Sequence, residues 1–104
     1  MLQKNKAGRL LVMIEIDPAY EDEFNRWYRE EHFPDRMACP GFVRGRRFVA
    51  LEGEPKYLAL FDLESPEVLN TDEYGQASIE TERWGRLMPH FAKLVRNIYV
   101  EIEP

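Results

Sequence analysis

Hydrophobic positions divide this chain into alternating strand-like and helix-like stretches. Leu10 to Ile16 (LLVMIEI) is a nearly unbroken apolar run, as in a strand buried on both faces. At Asp17-Pro18 the pattern changes: Asp17 is an N-cap, Pro18 takes the first helical position, and the helix is predicted to run to about His32. On a wheel of 100° per residue, Tyr20, Trp27 and Tyr28 fall within about 40–60° of Phe24 and form an aromatic stripe. Asp22, Arg26, Arg29 and Glu30 lie opposite, where Asp22–Arg26 and Arg26–Glu30 are spaced as i,i+4 pairs. Pro34 disfavours helix at Phe33, so the helix is expected to end or kink there, with one more turn through DRMAC before Pro40-Gly41 reverses the chain. Strands are predicted over Phe42–Leu51 and Lys56–Glu64, joined as a hairpin by EGEP. Ser65-Pro66 opens a second helical region, broken near Gly75 and Gly85, and Leu94–Ile102 supplies a last strand.

The order β-α-β-β-α-β is that of the ferredoxin-like α+β sandwich, a four-stranded antiparallel sheet with its helices on one face. Residues 1–8 read as a flexible polar tail and 9–104 as a single domain. The first and third strands are apolar on both sides, yet the helices cover only one. Each large apolar side chain left in water forfeits roughly 1.5–3 kcal/mol of burial. A second copy packed sheet to sheet would cover that face, so a homodimer is expected.

Composition narrows the partners. A chain of 104 residues with 44% hydrophobic content is a packed globule, and its net charge of −5 lacks the basic footprint that nucleic acid needs. No apolar run is long enough to span a bilayer, no signal peptide is legible, and the lone Cys39 suits a reducing cytoplasm. The expectation is a cytoplasmic protein with neither a membrane nor a nucleic-acid partner.

The densest cluster of reactive side chains closes the first helix. Glu31 interrupts the aromatic stripe and His32 lies at its edge, one turn beyond Tyr28. An imidazole titrates near neutral pH, and a neighbouring carboxylate can orient it or raise its pKa, so His32 and Glu31 are the candidate acid/base pair. The competing reading makes His32 a helix C-cap and Glu31 a hydrogen-bonded structural group. Trp27, Tyr28, Tyr74 and Trp84 are candidate walls of an aromatic pocket, or simply core. Arg46, placed with Arg44 on the face of Phe42 and Phe48, could hold a carboxylate or enolate, and His90 could pair with His32. Two histidines and one cysteine without ligand spacing give no metal site, and neither a phosphate loop nor a dinucleotide fingerprint is present. Nothing activates Cys39 as a nucleophile.

The motif F-x-x-W-Y-x-x-E-H-x-P at Phe24–Pro34, P-G-F at Pro40–Phe42, D-L-x-S-P-E-V-L at Asp62–Leu69 and the later Trp84 resemble the EthD-like branch of the dimeric α+β barrel superfamily. The resemblance covers nearly the whole chain beyond the tail. It implies a small dimer with a pocket between helices and sheet in each subunit. Its relatives include polyketide cyclases and dehydratases, cofactor-free monooxygenases, muconolactone-type isomerases and, more distantly, haem binders. The first expectation is therefore a cofactor-independent enzyme acting on an aromatic or polyketide-like carbonyl compound by proton abstraction. His32 would be the base, Glu31 its orienter, and Tyr28 or Arg46 the enolate stabiliser. The alternatives are a non-catalytic dimeric protein of a degradation or biosynthesis pathway, which binds a small hydrophobic ligand or supports a partner enzyme, and a cofactor-free monooxygenase.

Overall fold

The computed structural model describes residues 6–104, so residues 1–5 of the tail lie outside the described residues. Four strands, β1 (Gly8–Ile16), β2 (Phe42–Val49), β3 (Tyr57–Leu63) and β4 (Phe91–Val100), form one sheet in the order β2-β3-β1-β4, every neighbouring pair antiparallel. This is the expected ferredoxin-like topology, with the helices on one face. Gly8 already belongs to the sheet, opposite Leu63 on one side and Val100 on the other.

The first helix differs from its prediction. The Asp17 carboxylate accepts from the Ala19 amide at 2.9 Å, as an N-cap should. A short 3-10 turn leads into α1 (Glu21–Trp27), a π-helical turn covers Tyr28–His32, and α2 (Phe33–Met37) continues from it. The helix does not end at Pro34: Phe33 keeps helical dihedrals of −64° and −49°. In an α-helix Pro34 would deprive the Glu30 carbonyl of its donor and press its ring against it. The wider π turn, closed by the Phe33 amide onto the Tyr28 carbonyl, takes up this misfit. The expected i,i+4 pairs along the outer side are replaced by tertiary ones. Glu30 accepts from Arg83 at 3.0 Å in α4 (Glu82–Leu87), and Glu23 faces Arg86 at 3.8 Å. The second helical region is broken as predicted, into a 3-10 turn, α3 (Asp72–Ala77) and α4, with Ser65, Thr71 and Thr81 as N-caps.

A bulge between Phe42 and Arg44 decides which arginine faces inward. Phe42 lies toward the helices, but the extra residue, Val43, flips the following alternation. Arg44, Arg46 and Phe48 then point to the open face, and Gly45 and Arg47 to the helices. The placement of Arg46 alongside Phe42 is thus corrected. Arg46 lies in an outer row beside Leu60, 3.5 Å from the Asp62 carboxylate, which Arg9 also meets at 3.2 Å.

Between helices and sheet the core packs Phe24, Trp27, Tyr28, Leu10, Phe61, Leu63 and Leu87, each at most 2% exposed. The opposite face carries an apolar row, Phe48–Leu58–Met13–Val95, across all four strands, with Leu60 and Leu11 beside it. Those side chains stay partly open to solvent.

Two glycines are fixed by close approach. Gly41 has φ of +94°, and a Cβ there would meet Val68 at 2.4 Å; a Cβ on Gly45 would meet Phe33 at 2.7 Å. Gly41→Ala therefore combines a left-handed backbone with overpacking, and should destabilise by about 2–4 kcal/mol. That is a fall in thermal midpoint of roughly 8 °C or more. Gly85→Ala, in α4 with open space around it, should instead raise the midpoint by a few degrees, since alanine gains about 0.5–1 kcal/mol in a helix. Differential scanning fluorimetry of the two variants checks both signs.

Candidate active site

The π turn builds the site. On a regular α-helix His32 would lie about 140° round from Trp27 at 100° per residue. In a π turn five residues roughly complete the circle, so residue 32 comes back over residue 27. The His32 ring accordingly stacks on Trp27, with centroids 4.4 Å apart and planes at 24°. Trp84 of α4 lies to the side of this pair, 5.3 Å from Trp27 and 5.9 Å from the imidazole, its plane at 22° to the latter, and Tyr28 meets the imidazole edge to face at 4.9 Å. Among the described residues no hydrogen bond holds the ring nitrogens. Aromatic faces alone fix the ring plane.

Glu31 is tied elsewhere. Its Oε2 accepts from Trp27 Nε1 at 2.9 Å and from Thr81 Oγ1 at 2.5 Å. Thr81 in turn accepts the Trp84 amide at 3.2 Å as the N-cap of α4. A second tie, Arg36 to the Ala77 carbonyl at 2.6 Å, holds the segment between α3 and α4 over the helix. These elements border a partly open cavity of about 120 Å³, lined by Trp27, Glu31, His32, Asp35, Arg36, Thr81 and Trp84, with residues 77–80 above.

Charges of both signs border this space, with Glu31, Asp35 and Glu80 alongside Arg36. Burial, reinforced by the positive fields of Arg36 and Arg47, pushes the His32 pKa down to about 3, so the imidazole is neutral at physiological pH. The raised histidine pKa expected from a neighbouring Glu31 does not appear, because burial and the two arginines dominate and Glu31 itself is tied to Trp27 and Thr81. Burial also raises the Tyr28 phenol to about 12, against the opposing pull of Arg47 and Arg36. Neither arginine has a carboxylate within 4.0 Å among the described residues.

Of the residues singled out in the sequence, His32, Glu31, Trp27 and Trp84 surround the cavity, and Tyr28 backs His32. Tyr74 lies to one side, stacked on Phe42 at 5.9 Å and under the Arg36 guanidinium at 5.6 Å. Arg46 is on the other face of the sheet. His90 is half-buried and has no ring contact with His32; its ring stacks on Tyr20 at 3.6 Å. Sequence reasoning missed Arg36, Arg47 and Thr81. Thr81, three residues before Trp84, carries a readable N-cap signal; Arg47 was hidden by the bulge.

Comparison with known proteins places this geometry in a fold. No family model and no curated protein matches the chain. Solved structures do match along nearly its whole length. An EthD family protein from Bacillus halodurans has a TM-score of 0.65 at 18% identity, over 92% of this chain and 99% of that one. SnoaB, a cofactor-independent oxygenase from Streptomyces nogalater solved in mutant form, gives 0.66 at 12% identity, over 95% and 96%. A mutant of MhuD with two manganese protoporphyrin IX molecules bound per active site gives 0.72 at 15%, over 93% and 96%. At these identities the likeness is one of fold, the ferredoxin-like α+β sandwich described above, so what the cavity does rests on the residues of this chain.

A histidine held neutral when folded but free to protonate when unfolded makes stability depend on pH. The unfolded chain binds the proton below an ordinary pKa of about 6.5, whereas folded His32 does so only near 3. Its contribution is therefore fully present above about pH 6.5 and is lost as pH falls from there toward 3. His32→Phe keeps an aromatic ring against Trp27 and removes this term. Between pH 7 and pH 4 the wild type should lose more thermal stability than the variant. Equal losses would mean that His32 is not held neutral.

Proposed function

We propose that this chain is a small enzyme acting on an aromatic or dicarbonyl compound by proton transfer at carbon, without an organic cofactor. The observation that carries the reading is a neutral imidazole at a cavity wall, its nitrogens free of protein hydrogen bonds, with Arg36 beside the same space. A ring whose conjugate acid has a pKa of about 3 is a weak base while the site is empty. An acidic C–H compound changes that balance as it reacts. The carbon's proton passes to a His32 nitrogen while the electron pair moves onto the carbonyl oxygen. The resulting enolate offsets the positive field of Arg36 and Arg47, so imidazolium and anion stabilise one another. Glu31 positions Trp27 and the 77–81 segment and is assigned no proton transfer.

The cavity of about 120 Å³ is comparable with the roughly 150 Å³ that accommodates a benzene ring in an apolar core. One small ring or a dicarbonyl group fits; a larger polyketide would need the 77–81 segment to lift. A porphyrin does not fit this space. The likeness in fold to a cofactor-independent oxygenase supports a cofactor-free chemistry of this general kind and makes oxygen insertion into a hydroquinone-like substrate the second reading. The buried thiol of Cys39, which burial keeps protonated, accords with a reducing cytoplasm.

We also propose that two copies pair through the open sheet face. Its apolar row would otherwise remain in water, and no described element of the chain covers it. Leu60→Glu should convert a particle of twice 12.3 kDa into a monomer by light scattering after gel filtration. A wild type that is already monomeric removes this part of the reading.

The enzymatic reading is tested with benzoylacetone in D2O, following exchange of its central methylene by proton NMR. The protein should accelerate exchange, and His32→Phe should slow the accelerated rate about a hundredfold, within the usual range for a general base. No acceleration, or acceleration indifferent to His32, would set proton abstraction aside. An oxygen electrode with a hydroquinone then tests the second reading.

A further inference from the structure

The stretch between Tyr74 and Leu87 is anchored at its ends and loosely held in between. Tyr74 stacks on Phe42 with planes at 12°, and Leu87 is fully buried. No residue from 75 to 86 is buried. Between Gly75 and Gly85, hydrogen bonds or ion pairs tie the stretch to the helix beneath at three points among the described residues. These are Arg36 to the Ala77 carbonyl, Thr81 to Glu31, and the surface pair Arg83–Glu30. A segment with few buried contacts opens at low cost.

Two glycines mark where it can turn. Gly75 in α3 and Gly85 in α4 lack a positive φ, and a Cβ on either would meet nothing within 4 Å. Neither turn geometry nor packing requires glycine there, and glycine weakens a helix relative to alanine. What it adds at each end of the loosely held segment is backbone freedom. The closed position also leaves groups unmet. Trp84 Nε1 is buried without a hydrogen-bond partner among the described residues, which costs the desolvation of a donor. Ile79 borders the cavity yet is 64% exposed. Outward movement around a larger ligand relieves both: the indole N–H reaches water or a ligand acceptor, and Ile79 gains an apolar ring to cover.

We propose that residues 76–84 form a lid, hinged at Gly75 and Gly85 and latched by Thr81 on Glu31, and that its opening sets the size of the ligand. With the lid down the cavity takes a single ring through its open side; with the lid raised it takes a fused-ring aromatic. That this ligand is a substrate rests on the enzymatic reading above; the lid does not.

Thr81→Asp separates the latch from the cap. A carboxylate still caps the Trp84 amide but cannot donate to Glu31, and it repels that side chain. The probes are phenol and 2-naphthol, both neutral at pH 7 and differing by a fused ring. In calorimetric titration Thr81→Asp should tighten 2-naphthol by about fivefold or more and change phenol by less than about twofold. The double variant Gly75→Ala/Gly85→Ala adds methyl groups only in open space. It should slow 2-naphthol association by about threefold or more in stopped-flow tryptophan fluorescence, which reports on the cavity because both tryptophans, Trp27 and Trp84, line it. Equal responses of the two probes to Thr81→Asp, 2-naphthol kinetics unchanged by the alanines, or failure of 2-naphthol to bind would overturn the lid. The alanine variant decides even if Thr81→Asp does not fold. Failure of the enzymatic reading shows separately, as methylene exchange indifferent to His32, whatever the naphthol titrations give.

Discussion

Pro34 sits inside a helix that does not stop for it, and the rest of the site depends on how the backbone accommodates the misfit. A ring that cannot donate and cannot approach the carbonyl four residues back is tolerated when the preceding turn widens. The π turn over Tyr28–His32 is that widening, and it changes which side chains are neighbours. Trp27 gains His32 against its face while keeping Glu31 at its indole nitrogen. One local defect therefore supplies both the stacked imidazole and the carboxylate that ties the helix to the 77–81 segment.

From that arrangement follows an unusual charge balance. The protein as a whole is acidic, with a net charge of −5, yet the space between its helices and sheet holds a neutral histidine and two arginines without carboxylate partners among the described residues. Several carboxylates nearby are occupied, Glu31 by Trp27 and Thr81, Glu21 by Lys56 and Tyr57, Glu30 by Arg83, while Asp35 and Glu80 border the same cavity as Arg36. Such an interior is less stable than one with its charges paired, because burial penalises each group that keeps its charge. On the proposed reading, the arginine field would meet the negative charge that develops on the substrate during reaction.

Much was legible in the sequence because it depends on local periodicity and end signals. The apolar run of β1, the caps at Asp17 and Ser65, and the break-up of the second helical region follow from side-chain spacing and backbone chemistry within a few residues. Strand order is a short step from there, since few ways exist to connect β-α-β-β-α-β without crossing loops. The aromatic stripe and the Glu31-His32 pair stood out for the same local reason, and both lie at the cavity.

The tertiary structure decided what a wheel or an alternating pattern cannot carry. A wheel assumes 100° per residue throughout, so it placed His32 at the edge of the stripe; the π turn placed it on Trp27. An alternating strand assumes no extra residue, so it put Arg46 inside; the bulge at Val43 exchanged it for Arg47. Whether Glu31 serves His32 or holds Thr81 depends on a contact between residues fifty positions apart, which no window on the chain contains. The sequence by itself determined the elements and the inventory of reactive groups. Their partners were set by two single-residue irregularities, because each rotates everything that follows it.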